Sequence, residues 1–232
     1  MPVSRLFTLA LSLALVFGTL GARPIPLQHN ETLPLDYLAN RIAVISDSYT
    51  TGTDEGGMGA KNWTTLAWQT LASEKVPVTP DVQAEGGAGY GTRGNHGSVF
   101  EDLTAKAVRP DDALVVFFGS RNDKDVDPAR LSVLIYGTFQ LARHTAPSAQ
   151  FLVIGPAWPT ADPPVEILRI RDALAYQARL AGAVFVDPIA AGWFVGRPDL
   201  IGADGVHPTD AGHTYMADRI APLIGSQLTR RV

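Results

Sequence analysis

In Arg41-Ile42-Ala43-Val44-Ile45-Ser46-Asp47-Ser48, four apolar residues stand in a row and three small polar ones follow. A strand with one wet face alternates apolar and polar residues, whereas a strand covered on both faces does not. The run therefore predicts an interior strand of a parallel sheet, with helices on either side. Its polar end matters as much as its apolar centre, because ligands gather beyond the carboxyl ends of strands in such sheets.

Working outward, strand and helix signals alternate. Helical spacing of Trp63, Leu66, Ala67 and Leu71 predicts a helix over 62–74. A weaker strand over 76–83 is interrupted by Pro77 and Pro80, and a glycine cluster follows, Gly86-Gly87-Ala88-Gly89-Tyr90-Gly91. Ala113–Phe118, Phe151–Ile154 and Ala183–Val186 read as further strands, and 128–144 and 164–180 as helices. The second of these opens on proline, whose missing N–H is least costly in a first turn. A last helix begins near Thr209, a good N-cap, and runs towards Leu228. This alternation predicts an α/β fold: a three-layer α/β/α sandwich on a mainly parallel five-stranded sheet. Ser48, the glycine cluster, Gly119–Asp123 and the 155–163 loop would then share one edge of the sheet.

The chain has 232 residues, 46% of them hydrophobic and 18% charged, which suits one domain with a sizeable core. Its net charge is −4, and Arg230-Arg231 is the longest basic run, so nothing marks a nucleic-acid partner or an anionic membrane surface. The chain contains no cysteine, which rules out disulfides and thiol catalysis. Arg5, the apolar run Leu6–Leu20 and the small residues Gly21 and Ala22 read as a signal peptide over 1–22. The run is shorter than a usual membrane span, so the expected location is secreted or in the cell envelope, with no integral span after cleavage. A lead-in segment occupies 23–40, and the folded domain 41–232.

Three residues carry chemistry. A serine hydroxyl is a poor nucleophile until a neutral imidazole takes its proton and a carboxylate fixes that imidazole's tautomer. Ser48 ends the first strand, and Asp204-Gly205-Val206-His207-Pro208 supplies an acid and a histidine in one loop. Each taken alone has a plainer reading: serine at a strand end forms turns, Asp-Gly makes a surface turn, and Asn122-Asp123 caps a helix. No Gly-x-Ser-x-Gly elbow occurs. The scattered carboxylates show no metal-ligand spacing, so neither metal nor organic cofactor is expected. Asn30-Glu31-Thr32 and Asn62-Trp63-Thr64 match the N-glycosylation pattern.

Taken together, the blocks resemble the SGNH hydrolases, or GDSL esterase/lipase family, in its secreted bacterial form. Ser46-Asp47-Ser48 matches the Gly-Asp-Ser block, with serine where the family has glycine. Gly119-Ser120-Arg121-Asn122-Asp123 matches Gly-x-Asn-Asp, with either one extra residue or Ser120 in the glycine place. Asp204 and His207 match Asp-x-x-His. The resemblance implies a flavodoxin-like sandwich and the catalytic residues Ser48, Asp204 and His207. It also implies an oxyanion hole formed by the backbone of Ser48, the backbone of Gly89 (or Gly87) and the Asn122 side chain. Arg121 and Tyr90, flanking these blocks, are the expected substrate contacts. The implied activity is hydrolysis of carboxylic esters with short to medium acyl groups on a lipid or sugar. An acyltransferase would use the same residues, and a silent carbohydrate- or lipid-binding module would keep only the fold.

Overall fold

The computed structural model describes residues 40–229. The signal peptide, all but the last residue of the lead-in segment, Asn30 and Arg230-Arg231 lie outside them.

Five strands form one sheet: β1 (Asn40–Ser46), β2 (Val78–Ala84), β3 (Leu114–Phe118), β4 (Gln150–Ile154) and β5 (Val184–Val186). Every neighbouring pair is parallel, in the order β2-β1-β3-β4-β5. Pro80 is tolerated in β2 because that strand lies at an edge, where a missing N–H costs little. The helices are α1 (Ser48–Thr51), α2 (Trp63–Ser73), α3 (Phe100–Ala107), α4 (Pro128–Thr145), α5 (Val165–Leu180) and α6 (Asp210–Thr229).

The pleat divides the strand residues between two cores, as an unbroken apolar run requires. Ile42, Val44, Leu114, Val116, Phe118, Leu152 and Ile154 pack with α2 and α6. Ala43, Ile45, Val115, Phe117, Phe151 and Val153 pack with α3, α4 and α5. The three layers are therefore those expected from the sequence, on a sheet that is parallel throughout.

Helix ends follow local chemistry. Asn62 caps α2 by accepting from the Thr64 N–H, and Thr209 caps α6 by accepting from Gly212. Helices α1 and α3 have no counterpart in the sequence reading. The exposed residues of α3 are Glu101, Asp102, Ala105 and Lys106, and Asp102 reaches back to the Val99 N–H to close its first turn. The strand order runs outward in opposite directions from β1 and β3, and a crevice forms at that switch point. Ser48 follows β1 and Asn122 follows β3.

Candidate active site

Asp47 is the N-cap of the short helix that carries Ser48: its Oδ1 accepts the Tyr49 N–H at 3.0 Å. The chain turns at once from strand into helix and presents the Ser48 hydroxyl at the sheet edge. Ser46, where the family has glycine, is fully buried, and its hydroxyl donates to the Phe118 carbonyl at 2.9 Å. The extra atoms are thus absorbed as a tie between β1 and β3.

The acid and base come from the loop before α6, which is closed at its neck. Ile201 bridges Pro208, the Gly202 N–H donates to the His207 carbonyl at 2.8 Å, and the Thr209 N–H donates to Leu200. Inside the loop, Asp204 Oδ1 accepts the N–H groups of Val206 (2.8 Å) and His207 (2.9 Å), while Oδ2 lies 2.5 Å from His207 Nδ1. Burial pushes the Asp204 carboxyl up, but the His207 backbone and ring and the Val206 N–H outweigh it and hold it at about 2. With the proton on Nδ1 beside Asp204, Nε2, 3.0 Å from Ser48 Oγ, presents its lone pair to the hydroxyl. The Tyr49 hydroxyl donates to the Val206 carbonyl at 2.7 Å, tying this loop to the helix of Ser48.

The glycine cluster requires a correction. The Gly89 N–H donates to the Thr92 carbonyl at 2.9 Å, so it is not available to an oxyanion. The cause is Asp123. Its buried carboxylate collects the N–H groups of Tyr90, Gly91 and Thr92 at 2.8–3.0 Å and curls the chain beneath the loop. Glycine is needed at 89 because a Cβ there would lie 2.4–2.6 Å from that carboxylate. Of the cluster, Gly86 and Gly87 line the cavity, and Gly87, at φ +79°, has an N–H that meets no acceptor among the described residues. The Ser48 N–H is likewise open. Asn122 Nδ2 lies at the same cavity and is engaged twice, by the Ala88 carbonyl (2.8 Å) and by Asp47 Oδ2 (3.3 Å).

Tyr90 is also corrected. It is 1% exposed, with its ring against Phe100 and Phe139 in the core beneath the sheet, away from the cavity. Burial drives its phenol well above 10. Arg121 does line the cavity, with its guanidinium 4.4 Å above the Trp158 ring. Asn62 is no glycan acceptor: it is buried, and its amide donates to the carbonyls of Thr50 and Gly57. His213 is fully buried and accepts the Trp63 N–H at 3.3 Å, and burial lowers its imidazole to about 4.

The cavity in front of Ser48 measures about 500 Å³. Several of its working parts escape a sequence reading. Asp47 is buried, and Asn95, His96 and Glu85 line the cavity. Asp47 alone carried a signal, as an N-cap-type residue directly before the serine.

A serine, an imidazole and a carboxylate in hydrogen-bonded line, set at the switch point of a parallel sheet, define a serine hydrolase on a three-layer α/β/α frame. The chain belongs to the GDSL-like lipase/acylhydrolase family, whose model matches residues 47–215. It acts on ester bonds. It is 61% identical to the GDSL lipase Rv0518 of Mycobacterium tuberculosis over 97% of this chain and 99% of that one. Among solved structures it resembles TesA, with a TM-score of 0.66 and 22% identity over 82% of this chain and all of that one. It also resembles a family two carbohydrate esterase from Clostridium thermocellum, with a TM-score of 0.65 and 17% identity over 83% and 65%. At such identities the two structures speak for the fold alone.

Proposed function

We propose that this protein hydrolyses carboxylic esters with short to medium acyl groups through an acyl-enzyme on Ser48, with Asp204 and His207 completing the triad. The observation that carries the reading is the unbroken Asp204–His207–Ser48 hydrogen-bond chain. In the first step His207 Nε2 takes the Ser48 proton as Oγ bonds to the ester carbon. The oxyanion meets the N–H groups of Ser48 and Gly87, and the Asn122 amide joins them as its contact with Asp47 is released. Each such donor is worth roughly 3 kcal/mol in the transition state. The carbon–alkoxy bond then breaks, and the alcohol leaves with the proton held by His207. In the second step His207 takes a proton from water, hydroxide attacks the acyl carbon, and the carboxylic acid departs as Ser48 regains its hydrogen.

Export is part of the same proposal and rests on the apolar Leu6–Leu20 run.

The test is turnover of p-nitrophenyl esters from acetate to palmitate by the wild type and by Ser48→Ala. It is paired with mass spectrometry after treatment with an alkyl fluorophosphonate. The reading expects turnover that peaks at or below octanoate and disappears in the variant, with one adduct on the Ser48 peptide. Turnover that survives in Ser48→Ala would overturn it. Fractionation of expressing cells tests export, which would fail if the full-length chain stayed in the cytosol.

A further inference from the structure

We propose that the cavity in front of Ser48 selects the alcohol part of the ester as a neutral, hydroxyl-rich group, a sugar or polyol, and that Asn95 and Arg121 are the selecting side chains. The proposal rests on the ester-hydrolase reading above and adds the substrate class.

The first argument is the wall. Among the side chains that line the cavity, those of Ala84 and Val206 alone are apolar; the others end in hydroxyl, amide, carboxylate, imidazole or guanidinium groups. A hydrocarbon chain gains about 0.8 kcal/mol for each CH₂ laid against apolar surface. Here it would instead strip water from polar groups and give them nothing in return, which is a cost. A hydroxylated ligand replaces that water bond for bond. The volume, about 500 Å³, falls in the range that encloses a small molecule.

The second argument is the state of the two side chains. The Asn95 backbone N–H is fixed to the Gly86 carbonyl at 2.9 Å, which lays its side chain over the proposed oxyanion turn. A Cβ at Gly86 would lie 3.1 Å from Asn95 Nδ2, and one at Gly87 3.4 Å from Oδ1. Yet that amide makes no side-chain hydrogen bond among the described residues, so both its donor and its acceptor remain for a ligand. Arg121 lies 4.4 Å over the Trp158 ring centre and faces no carboxylate within ion-pair distance among the described residues. Its Nη1 is buried without a hydrogen-bond partner, and its remaining N–H donors suit a ligand hydroxyl.

The third argument is charge. The one lining carboxylate is Glu85, whose Oε1 accepts the His96 N–H at 2.6 Å and the Ser98 N–H at 3.2 Å. Glu85 and Arg121 balance each other, so the cavity has no surplus positive charge to hold a phosphate or carboxylate. A neutral partner fits the field as well as the wall.

The test compares 6-O-acetylglucose with cyclohexylmethyl acetate, two acetates of similar ring size that differ chiefly in their hydroxyl groups. A site built to bond hydroxyls discriminates against a partner that lacks them. Wild-type kcat/KM is expected to favour the sugar ester at least about tenfold, and Asn95→Ala and Arg121→Met should each shrink that ratio several-fold. Equal or inverted wild-type values, or a ratio that neither variant moves, would overturn the proposal. Calorimetric titration of Ser48→Ala with methyl glucoside and with cyclohexylmethanol decides the same point without turnover. Tighter binding of the glucoside supports it, and equal or weaker binding overturns it. A missing fluorophosphonate adduct on Ser48 would instead sink the ester reading and leave the titration to judge sugar recognition.

Discussion

Asp47→Asn is expected to stabilise the protein in alkaline solution, by an amount that grows with pH. Asp47 is 2% exposed. Burial, aided by the negative charge of Asp123, lifts its carboxyl from 3.8 to about 7 against the pull of the Tyr49 N–H and Arg121. Below 3.8 the group is neutral in both folded and unfolded chains and favours neither. Between 3.8 and about 7 the unfolded chain releases its proton while the folded chain keeps it, so stability falls as pH rises. Above 7 the full penalty stands, about 4 kcal/mol at 1.36 kcal/mol per tenfold change. Asparagine cannot ionise, and its Oδ1 can still accept the Tyr49 N–H. Its amide nitrogen would face Asn122 Nδ2, donor against donor, which returns about 1 kcal/mol. The net gain above pH 7 is therefore about 3 kcal/mol, or about 10 °C in Tm for a chain of this size. The same donor clash turns the Asn122 amide, so kcat should fall while stability rises. Thermal unfolding of both proteins by circular dichroism at several pH values reads the difference. From about pH 5 to about pH 8.5 the gap in stability should widen by about 3 kcal/mol. A gap that stays constant over that range would refute the reasoning.

Asp204→Asn leaves His207 Nδ1 facing an amide and should cut kcat on p-nitrophenyl acetate by about 10⁴, with KM little changed. Gly89→Ala must displace the Asp123 carboxylate and the three N–H groups it holds, at a cost of about 3–5 kcal/mol and a Tm lower by about 10 °C. Gly87→Ala has room for its Cβ and meets only the cost of a positive φ, about 1–2 kcal/mol. Equal melting losses in these two alanine variants would contradict the roles given to the two glycines. His213 stays neutral in the fold down to about 4, while the unfolded chain binds its proton below 6.5. Stability should therefore fall as pH drops through that window. His213→Leu should flatten the fall, as urea midpoints at about pH 7 and about pH 4.5 would register, while giving up about 1 kcal/mol from the Trp63 cap.

The strands were legible because a strand covered on both faces leaves an unbroken apolar run, as in Ile42–Ile45 and Leu114–Phe118. Ser48, Asp204 and His207 were legible because their chemistry demands fixed residue types, whatever fold brings them together. The glycine turn was not. Gly86, Gly87, Gly89 and Gly91 look alike in sequence, and what separates them is a carboxylate 32 positions away from Gly91 that captures three successive N–H groups. Tyr90 misled for the same reason, since that capture turns its ring down among Phe100 and Phe139. Helix α3 hid because its outward residues, Glu101, Asp102 and Lys106, dilute the apolar spacing of Phe100, Leu103 and Ala107. Asp47 shows a further limit: its position next to the serine is written in the chain, but its complete burial against Asn122 is a property of packing.

The closed loop from Ile201 to Pro208 gives the triad an unequal mechanical design. Asp204 and His207 ride on one clasped segment, so their spacing is indifferent to small sliding between sheet and helices. Two ties join this segment to the side that carries Ser48, the Tyr49 hydroxyl to the Val206 carbonyl and the Ala203 N–H to Glu55 Oε2. The proposed triad is thus built in two parts, the clasped acid–base pair and the helix of Ser48, that meet across one seam. Cold-adapted or heat-resistant forms of such an enzyme would be tuned at that seam, by loosening or tightening the Tyr49–Val206 tie, and not within the acid–base pair itself.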